Sequence, residues 1–343
     1  MSATDSAVLV TGGAGYIGSH TVKRLAERGF RPIVLDNFSS GHLEAARWAA
    51  AVVRGDVRDG ALVQTTIEHH NVTSVIHFAG LIEVARSVAR PDLFYDVNVN
   101  GTKVLLAAMQ RADVRKLVFS SSAAVYGSAQ RRGPLDLIDE DDPKSPASPY
   151  GDTKLVGELM IGAYCAAFGF SAVALRYFNA AGSDASGLIG EAHQPETHLI
   201  PLAIDAALGR RPPLTVFGAD YPTADGSCVR DYVHVTDLAD AHIAALELDA
   251  GEGEFAAFNV GTGEGRSVFE VLEAVGRCLG QGPPFEVGPR RSGDPPSLVA
   301  NPAKARAQLG WTPRASSLEN IVATAALWRK APAYGLTPSQ GPE

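Results

Sequence analysis

The chain has few cysteines and no excess of positive charge. Only Cys165, Cys228 and Cys278 occur among 343 residues, and their odd number and wide separation are typical of reduced thiols in a cytoplasm. The formal net charge of −8 at pH 7 argues against nucleic acid or an anionic membrane as a partner. A small anionic ligand is still compatible with this charge, because a few local arginines can hold a phosphate on an acidic protein.

Long hydrophobic runs are also missing. No apolar segment approaches the roughly 20 residues that a membrane-spanning helix needs, and residues 1–6 are polar instead of resembling a signal peptide. Hydrophobic residues nevertheless make up 45% of the chain and charged residues 20%, as in ordinary globular proteins. We therefore expect a folded cytoplasmic protein without a membrane segment.

Two kinds of catalytic site lack their sequence patterns. No Gly-x-Ser-x-Gly elbow is present, so a serine hydrolase has no support. The nine histidines include His69 with His70 and His193 with His198, but their spacing predicts no metal site. We interpret these histidines as surface residues or hydrogen-bonded core residues.

Short apolar runs alternate with helix-length segments through the first half of the chain, which is the pattern of a parallel sheet covered by helices on both faces. The predicted strands are Ala7–Thr11, Arg31–Leu35, Ala51–Arg54, Ser74–Phe78, Lys116–Ser120 and Ser171–Arg176. The predicted helices are Ile17–Arg28, Ala61–His69, Asp92–Arg111 and Tyr150–Phe168. The predicted fold class is α/β, with a Rossmann-type doubly wound parallel sheet.

The two longest predicted helices, Asp92–Arg111 and Tyr150–Phe168, are rich in alanine and leucine. One interpretation is that they pack on the sheet like the other helices. The other is that one or both also pack against a second subunit. The sequence pattern leaves both open.

The second half of the chain predicts a smaller C-terminal substrate-binding lobe. From about Phe178 onward Gly, Pro and Asp become dense and the alternation of strands and helices is lost. We expect a main domain over residues 1–177 and a lobe over residues 178–330 that closes over the carboxyl ends of the strands. Residues 331–343 are predicted to be a loosely ordered tail. Segments near 231–262 are expected to return to the main sheet, namely Asp231–Val235, Thr236–Glu247 and Phe255–Val260.

The clearest motif is a glycine loop between the first strand and the first helix. Gly12, Gly15 and Gly18 follow the first apolar run in the spacing typical of short-chain dehydrogenases. Gly12 permits a tight turn, Gly15 lets the backbone approach a pyrophosphate, and Gly18 lets the helix pack closely on the strand. Because amides at a helix start face such phosphates, the loop predicts a dinucleotide site to which Tyr16 and Ile17 contribute.

Asp36 ends the second predicted strand, eighteen residues after Gly18. A carboxylate there suits the ribose hydroxyls of adenosine and repels a phosphate, which favours NAD over NADP. The alternative is an ordinary turn aspartate, which the preceding glycine loop makes the weaker interpretation. The other predicted cofactor contacts follow the second, third and fourth strands and are Asn37, Asp56, Val57, Phe78, Ala79 and Gly80.

Tyr150 and Lys154 stand four residues apart in a predicted helix and therefore share a face. A phenol has a pKa of about 10, and bringing it near neutrality takes roughly 4 kcal/mol. An ammonium at about 4 Å supplies roughly that amount at an effective dielectric of about 20, and a positive nicotinamide would add to it. A surface Tyr/Lys pair is the alternative, which the glycine loop disfavours.

Two further residues belong to this predicted centre. Ser122, just past the fifth strand, can hydrogen-bond the same substrate hydroxyl as Tyr150. Asn98 is expected to anchor the neighbouring helix start and to contact the cofactor. A nicotinamide beside a positioned base predicts hydride transfer at a carbon that bears a hydroxyl, with Tyr150, Lys154 and Ser122 as catalytic residues.

The motifs together resemble the UDP-glucose 4-epimerase family, which belongs to the extended short-chain dehydrogenase/reductase superfamily. The likeness runs from about Val8 to Trp328. The glycine loop and the Tyr/Lys pair indicate only the superfamily, whereas the later blocks indicate the epimerase branch. The matching segments are Thr11–His20, Val75–Gly80, Phe119–Gly127, Tyr150–Lys154, Leu175–Gly182 and Val229–Val235.

The resemblance implies an enzyme that keeps NAD bound and interconverts UDP-glucose and UDP-galactose through a 4-keto sugar. It implies that Tyr150 takes the proton from the hydroxyl on carbon 4, that Lys154 tunes Tyr150 and holds the nicotinamide ribose, and that Phe178 lies beside the nicotinamide. It also implies a homodimer. The residues expected to contact the UDP-sugar are Ser122, Tyr150, Asn179, His198, Leu199, Phe217, Arg230, Arg291, Asp294 and Leu298.

Three positions depart from the family pattern. Ile82 stands where some members have a lysine near the cofactor, and His198 replaces an asparagine. Leu298 stands where certain members have a tyrosine that limits bulk at the sugar. We predict that Leu298 relaxes the pocket partly toward N-acetylated sugars.

The nearest alternatives are other enzymes on the same scaffold. Sugar-nucleotide dehydratases resemble this family but carry an acidic pair after the serine, where this chain has Ala123 and Ala124. Epimerases of UDP-pentoses or UDP-uronic acids remain open, since the same residues would serve. A non-catalytic NAD-binding protein is a different class of answer, which the intact catalytic residues disfavour.

Overall fold

A computed structural model of the chain describes residues 6–127, 136–291 and 294–335. The strands are β1 (Ala7–Thr11), β2 (Arg31–Asp36), β3 (Ala51–Arg54), β4 (Val72–His77), β5 (Lys116–Ser122), β6 (Ser171–Tyr177), β7 (Asn179–Ala181), β8 (Leu214–Phe217), β9 (Val229–His234), β10 (Phe255–Val260), β11 (Gly265–Ser267), β12 (Phe285–Gly288) and β13 (Ser297–Leu298). The helices are α1 (Tyr16–Glu27), α2 (Gly60–His69), α3 (Val84–Ala89), α4 (Pro91–Phe94), α5 (Gly101–Arg111), α6 (Pro149–Phe168), α7 (Leu199–Ala207), α8 (Val235–Glu247), α9 (Val268–Leu279), α10 (Ala303–Gln308) and α11 (Leu318–Lys330).

Seven strands form one parallel sheet in the order β10-β6-β5-β4-β1-β2-β3. The order in which successive strands are added to the sheet reverses at β1, which pairs with β2 on one side and with β4 on the other. Such a reversal leaves a crevice beyond the carboxyl ends of β1 and β4, where doubly wound sheets bind ligands. The predicted fold class is confirmed, and each of the six predicted strands is present: two have the predicted bounds, and four shift by one or two residues.

The central strands bury side chains on both faces. Val8 and Val10 of β1 belong to one core cluster together with Leu25 of α1. Leu9, between them, belongs to the opposite cluster together with Leu105 of α5. Because both faces are covered, these strands appear in the sequence as unbroken apolar runs instead of alternating ones.

One predicted strand belongs to a different sheet. We expected Asp231–Val235 to return to the main sheet, but β9 pairs with β7, β11 and β13 in a four-stranded sheet. The apolar pattern identifies a strand without identifying its partner, and here the partners come from distant, very short segments. Phe255–Val260 does return, as β10 beside β6, and α8 packs against α1 and the main sheet. The division into residues 1–177 and 178–330 stays a prediction.

The C-terminal part has a core of its own. Ile204 of α7, Val271 of α9 and Ile321 of α11 share this core with Val216 of β8. The prediction of a loosely ordered tail is wrong for its first residues, because Tyr334 is buried with its ring centroid 4.8 Å from that of Trp328. Packing of the Tyr334 ring on Trp328 buries apolar area, and the composition of the tail alone does not predict this contact. The rest of that tail lies outside the described residues.

The two long predicted helices are present with one modification. Ser148 caps α6 by accepting from the amide of Gly151, and α6 ends at Gly169, whose φ of 67° is left-handed. The segment predicted as Asp92–Arg111 instead comprises α4, a π-helical segment (Tyr95–Asn100) and α5. Within the described ranges, no helix combines the length and the apolar character that crossing a membrane demands.

Candidate active site

The glycine loop is a backbone cradle that side chains would fill. Gly12 has a φ of +71°, and a Cβ there would lie 2.6 Å from the backbone nitrogen of Ala79. A Cβ on Gly18 would overlap the carbonyl oxygen of Gly12. The loop is also tied to β2, because the amide of Gly12 donates to the carbonyl of Leu35 over 2.9 Å. Glycine is therefore required here by close backbone approach as well as by conformation.

The start of α1 is open to an anion. Gly15 is the N-cap residue and offers no side chain to the amides of the first turn. The Tyr16 hydroxyl donates to the carbonyl of Gly182 over 2.6 Å, which ties the helix start to the C-terminal lobe, and Ile17 packs on the core cluster beside β1. The free amides and the helix dipole favour a phosphate at this position.

Asp36 lies buried at the end of β2, where ribose recognition was predicted. Its Oδ2 accepts from the Ala14 amide over 3.0 Å and its Oδ1 accepts from the Phe38 amide over 2.8 Å. Burial raises the pKa of Asp36, and these two amides oppose that rise. The carboxylate therefore holds the glycine loop in place, a second role that sequence reasoning missed.

The predicted adenine side is a small polar cluster. Asn37 Nδ2 donates to Asp56 Oδ2 over 3.1 Å, which joins the ends of β2 and β3. Hydrogen bonds from Arg58 hold the pKa of the Asp56 carboxyl well below its usual range. Val57, which follows Asp56, is buried. The structure thus brings together the residues that were predicted to bracket the adenine.

The segment after β4 passes beside the glycine loop. The amides of Phe78 and Ala79 both donate to the carbonyl of Thr11, over 2.9 and 3.0 Å. Gly80 faces the side chain of Asn98, because a Cβ at Gly80 would lie 3.0 Å from Asn98 Oδ1. The predicted cofactor residues of β1 and β4 therefore lie side by side at the crevice.

Asn98 connects this segment to the predicted chemical centre. Its Oδ1 accepts from the Leu81 amide over 2.8 Å, and its Nδ2 donates to Thr153 Oγ1 over 3.0 Å. Thr153 lies in the first turn of α6, between Tyr150 and Lys154, so Asn98 is hydrogen-bonded to the start of that helix, while its contact with the cofactor stays a prediction. Asn98 belongs to the π-helical segment, a feature that is common at functional sites.

Tyr150 and Lys154 share the buried face of α6. They are 9% and 5% exposed, and the Lys154 ammonium lies 5.9 Å from the centroid of the Tyr150 ring. Lys154 Nζ donates to the carbonyl of Ser120 over 2.7 Å. The predicted pair is therefore present, with the ammonium held by β5.

The expected acidification of Tyr150 is not achieved by the chain alone. Burial raises the pKa of Tyr150, and the hydrogen bond with Ser122 lowers it. Burial also lowers the pKa of Lys154 from 10.5 to about 8. Desolvation disfavours the charged form of both groups, an effect that the argument from two charges about 4 Å apart did not include. An additional positive charge near Tyr150 would be needed to favour the phenolate.

Ser122 connects the chemical centre to the start of the C-terminal lobe. It is the last residue of β5, where it pairs in register with Tyr177 of β6. Phe178 follows directly and packs, together with Leu298, on the small cluster that contains Ala123. Two residues predicted from the resemblance alone, Phe178 and Leu298, therefore pack on the cluster that directly follows Ser122.

The four-stranded sheet assembles part of the predicted substrate side. Asn179 on β7 pairs in register with Tyr232 of β9, and Leu298 on β13 pairs with Arg230 of β9. Arg230 forms a partly buried ion pair with Asp294 and also donates to its neighbouring carbonyl at 2.7 Å. Three distant stretches of sequence thus meet around β9.

The remaining predicted substrate residues lie on other elements. Phe217 ends β8, and the Arg291 guanidinium lies over its ring, 4.0 Å from the centroid. His198 is the N-cap residue of α7, and Leu199 is its first residue. Burial opposes a charge on His198, but Glu191 and Glu196 raise its pKa above the ordinary value. These elements are far from Tyr150 in the chain, so the sequence alone does not show how close they come to it.

Sequence reasoning missed several partners of the site. Thr153 and the Ala14 amide are invisible to motif reading, because they act through hydrogen bonds to Asn98 and Asp36. The structure also collects Glu191, Glu196 and two histidines in one loop, although we predicted no metal site. The alternation of Glu and His over residues 191–198 was the available signal.

The site fits a nicotinamide dinucleotide. The glycine cradle admits backbone contact with a pyrophosphate, the amides of α1 are free to bind it, and the Asp36 carboxylate retains acceptor capacity for ribose hydroxyls. Lys154 is bonded to Ser120 of β5, the strand that pairs with β4. These are residues of this chain, and they suit NAD in chemistry and arrangement.

Comparisons with known proteins agree with this geometry. Residues 8–261 match the NAD dependent epimerase/dehydratase family. The chain is 49% identical to a UDP-glucose 4-epimerase of Halalkalibacterium halodurans, over 96% of this chain and 97% of that protein.

Two crystal structures are also similar to the chain. One is UDP-glucose 4-epimerase from Brucella ovis in complex with NAD, with a TM-score of 0.90, 47% identity and coverage of 94% of this chain and 97% of that one. The other is the Bifidobacterium longum enzyme in complex with NAD+ and UDP, with a TM-score of 0.89, 37% identity and coverage of 96% and 100%. This chain is therefore a member of the NAD dependent epimerase/dehydratase family.

Proposed function

We propose that the protein interconverts UDP-glucose and UDP-galactose by inversion at carbon 4. The observation that carries the proposal is that α6 buries Tyr150 and Lys154 on one face, with the Lys154 ammonium bonded to Ser120 near the end of β5 that carries Ser122. The relatives described above are UDP-glucose 4-epimerases. The Brucella ovis structure contains NAD, and the Bifidobacterium longum structure contains NAD+ and UDP.

Tyr150 acts as the acid and base of the reaction. It accepts the proton of the 4-hydroxyl as the carbon–hydrogen bond breaks, which leaves a 4-keto sugar, and returns the proton when hydride is delivered to the other face. When bound, NAD supplies the reversible hydride acceptor and a positive charge beside Tyr150. The reaction balances without net oxidation, because both electrons and the proton come back to carbon 4 and its oxygen.

Lys154 and Ser122 assist at the same centre. Ser122 hydrogen-bonds Tyr150 and can shift this bond to the sugar oxygen. Lys154, fixed on the Ser120 carbonyl, keeps N–H groups that would hold the ribose of a bound cofactor. Asn98 orients the start of α6 through Thr153 and so acts as a positioning residue.

The substrate is held by residues of the C-terminal lobe. Arg230 offers a guanidinium for the diphosphate, which Asp294 keeps in place. Phe217 and Arg291 offer a stacked pair beside the uracil. The other predicted contacts are Asn179, His198, Leu199 and Leu298.

Assembly and location form part of the proposal. Leu159 on α6 is 66% exposed and Tyr95 of the π-helical segment is also exposed, so these helices offer an apolar face to a second copy while their other face packs on the sheet. A homodimer is the expected state, and light scattering of the purified protein measures it. Free cysteines and a UDP-sugar substrate suit a cytoplasmic enzyme of galactose metabolism.

Related activities are the second candidates. Ala123 and Ala124 offer no acid or base for eliminating water, which disfavours a dehydratase. UDP-N-acetylhexosamines, UDP-pentoses and UDP-uronates remain candidate substrates, because discrimination among them depends on lobe residues such as Leu298. A non-catalytic binding protein is disfavoured by the intact catalytic centre.

The test is conversion of UDP-galactose by the purified protein without added cofactor, followed by NMR of the sugar signals. We expect UDP-glucose to appear with no net reduction of nicotinamide. Tyr150→Phe should lower the rate by about a thousandfold or more, whereas Tyr164→Phe, on the same helix, should leave it unchanged. Stoichiometric accumulation of reduced cofactor would instead indicate a dehydrogenase, and full activity in Tyr150→Phe would remove this mechanism.

A further inference from the structure

The loop before α7 gathers four side chains that can bind a metal ion. Glu191, His193, Glu196 and His198 each contribute one ligand atom, and these four atoms all lie within 4.8 Å of one another. Two imidazoles and two carboxylates within eight residues are a donor set that divalent transition metals accept. This set does not include the proposed catalytic residues Tyr150, Lys154 and Ser122, and it shares only His198 with the predicted substrate contacts.

The distances within the cluster are close to those of a coordination shell. His198 Nδ1 lies 2.7 Å from Glu191 Oε1 and 3.0 Å from Glu196 Oε1, and His193 Nδ1 lies 3.0 Å from Glu191 Oε1. In tetrahedral zinc sites the bonds of about 2.0–2.1 Å place ligand atoms about 3.4 Å apart. The closest pairs would need to separate by about 0.4–0.7 Å to reach this spacing.

The carboxylates of the cluster are buried and not fully satisfied. The side chains of Glu191 and Glu196 are 5% and 8% exposed. Among the described residues, Glu196 Oε2 has no hydrogen-bond partner, although it is buried. A buried carboxylate oxygen without a partner is a group that a bound cation would satisfy.

The loop backbone is fixed by neighbouring elements. The Trp328 indole donates to the Glu191 carbonyl over 2.7 Å, and His42 Nε2 lies 3.2 Å from the Ala192 carbonyl oxygen. The Tyr16 ring contacts His193 edge-on, with centroids 6.1 Å apart. Support of this kind orients ligands before an ion binds.

We propose that Glu191, His193, Glu196 and His198 bind one divalent transition-metal ion, with Zn²⁺ as the best match to four ligands of this type. The ion would be structural and would cross-link residues 191–198. This segment contacts Tyr16, at the start of α1, through His193, and it leads directly into Leu199, at the start of α7. The ion would thereby fix the glycine-loop helix relative to the C-terminal lobe. The proposal does not depend on the proposed reaction.

The test uses the full chain without a histidine tag, dialysed against a chelator and titrated with ZnCl₂ by calorimetry. We expect about one ion per chain and, at a hundredfold excess over Kd, a rise in melting temperature of about 4 °C. His193→Ala and Glu196→Gln should each weaken binding by more than about tenfold. The double variant His69→Ala/His70→Ala removes a surface histidine pair and should bind as the unaltered protein does.

X-ray absorption of the zinc-loaded unaltered protein identifies the ligands even if a variant fails to fold. We expect nitrogen and oxygen neighbours at about 2.0–2.1 Å, with outer scattering from two imidazoles and no sulfur. Sulfur neighbours, less than half an equivalent bound, equal affinity in His193→Ala, or loss of binding in the His69/His70 double variant would each overturn the proposal.

Discussion

The two sides of the crevice are built in different ways. On the cofactor side, Gly12, Gly18 and Asp36 lie in one continuous βαβ unit, and backbone atoms form most of the site. On the proposed substrate side, β9 brings together Asn179, Arg230 and Leu298 from three distant stretches, and side chains would form the site.

This difference has a physical cause. A pyrophosphate is the same in every dinucleotide, so a fixed backbone cradle can serve it. A sugar must be distinguished by side chains, which short strands can present in exchangeable combinations. Substitutions on the cofactor side should therefore abolish function, whereas those on the substrate side should alter selectivity.

The largest effect is expected for Gly18→Ala. The added methyl would overlap the Gly12 carbonyl, which the bond from the Gly12 amide to Leu35 keeps in place. We expect loss of bound nucleotide and a rate reduced by more than about a hundredfold, measured by chromatography of denatured protein and by the UDP-galactose assay. Gly282→Ala, where a Cβ meets nothing within 4 Å, is the control. Equal nucleotide content in both variants would contradict the claim that the glycine-loop backbone holds the nucleotide.

Glu158→Gln should destabilise the domain that carries α6. Glu158 forms a buried ion pair with Arg176 at 2.6 Å and also bonds Ser121. Breaking such a pair leaves a buried charge and costs about 3–5 kcal/mol, measured by urea unfolding. Glu273→Gln removes an exposed pair with Arg277 and should cost less than about 0.5 kcal/mol. Similar losses of unfolding free energy in the two variants would show that burial of the Glu158–Arg176 pair does not raise the cost of breaking it.

Lys154 should make stability depend on pH. Its pKa falls from 10.5 to about 8 on burial, so between these values the unfolded chain binds more protons and the free energy of unfolding rises with pH. The rise is up to about 3 kcal/mol. The unfolding free energy of Lys154→Met, measured from pH 7 to pH 10, should lack this rise, and parallel curves for the two proteins would contradict it.

The smallest effect is expected for Leu298→Tyr on the substrate side. A larger side chain beside Arg230 and Phe178 should exclude the N-acetyl group, lowering turnover of UDP-N-acetylglucosamine by about tenfold while nucleotide content stays unchanged. The measurement is the ratio of rates with the N-acetylated and plain sugars. Equal rates for UDP-glucose in both proteins, with no turnover of UDP-N-acetylglucosamine by either, would remove the idea.

The sequence was sufficient for the local features of the site. Strands buried on both faces give unbroken apolar runs, so β1 to β6 were predicted correctly, and a tight backbone cradle needs glycine at fixed positions. The spacing of Tyr150 and Lys154 places both on one helical face without reference to the rest of the chain. Such features depend on residues that are neighbours in sequence.

Tertiary structure alone decided the partner of β9, the contacts of Asn98, the burial of Tyr334 and the gathering of Glu191 with His193 and His198. It also decided the protonation of the centre: burial raises the pKa of Tyr150 and lowers that of Lys154, opposite to the effect expected from two isolated charges. The reason is that desolvation depends on every element packed around a group, whereas helical spacing depends only on the chain itself.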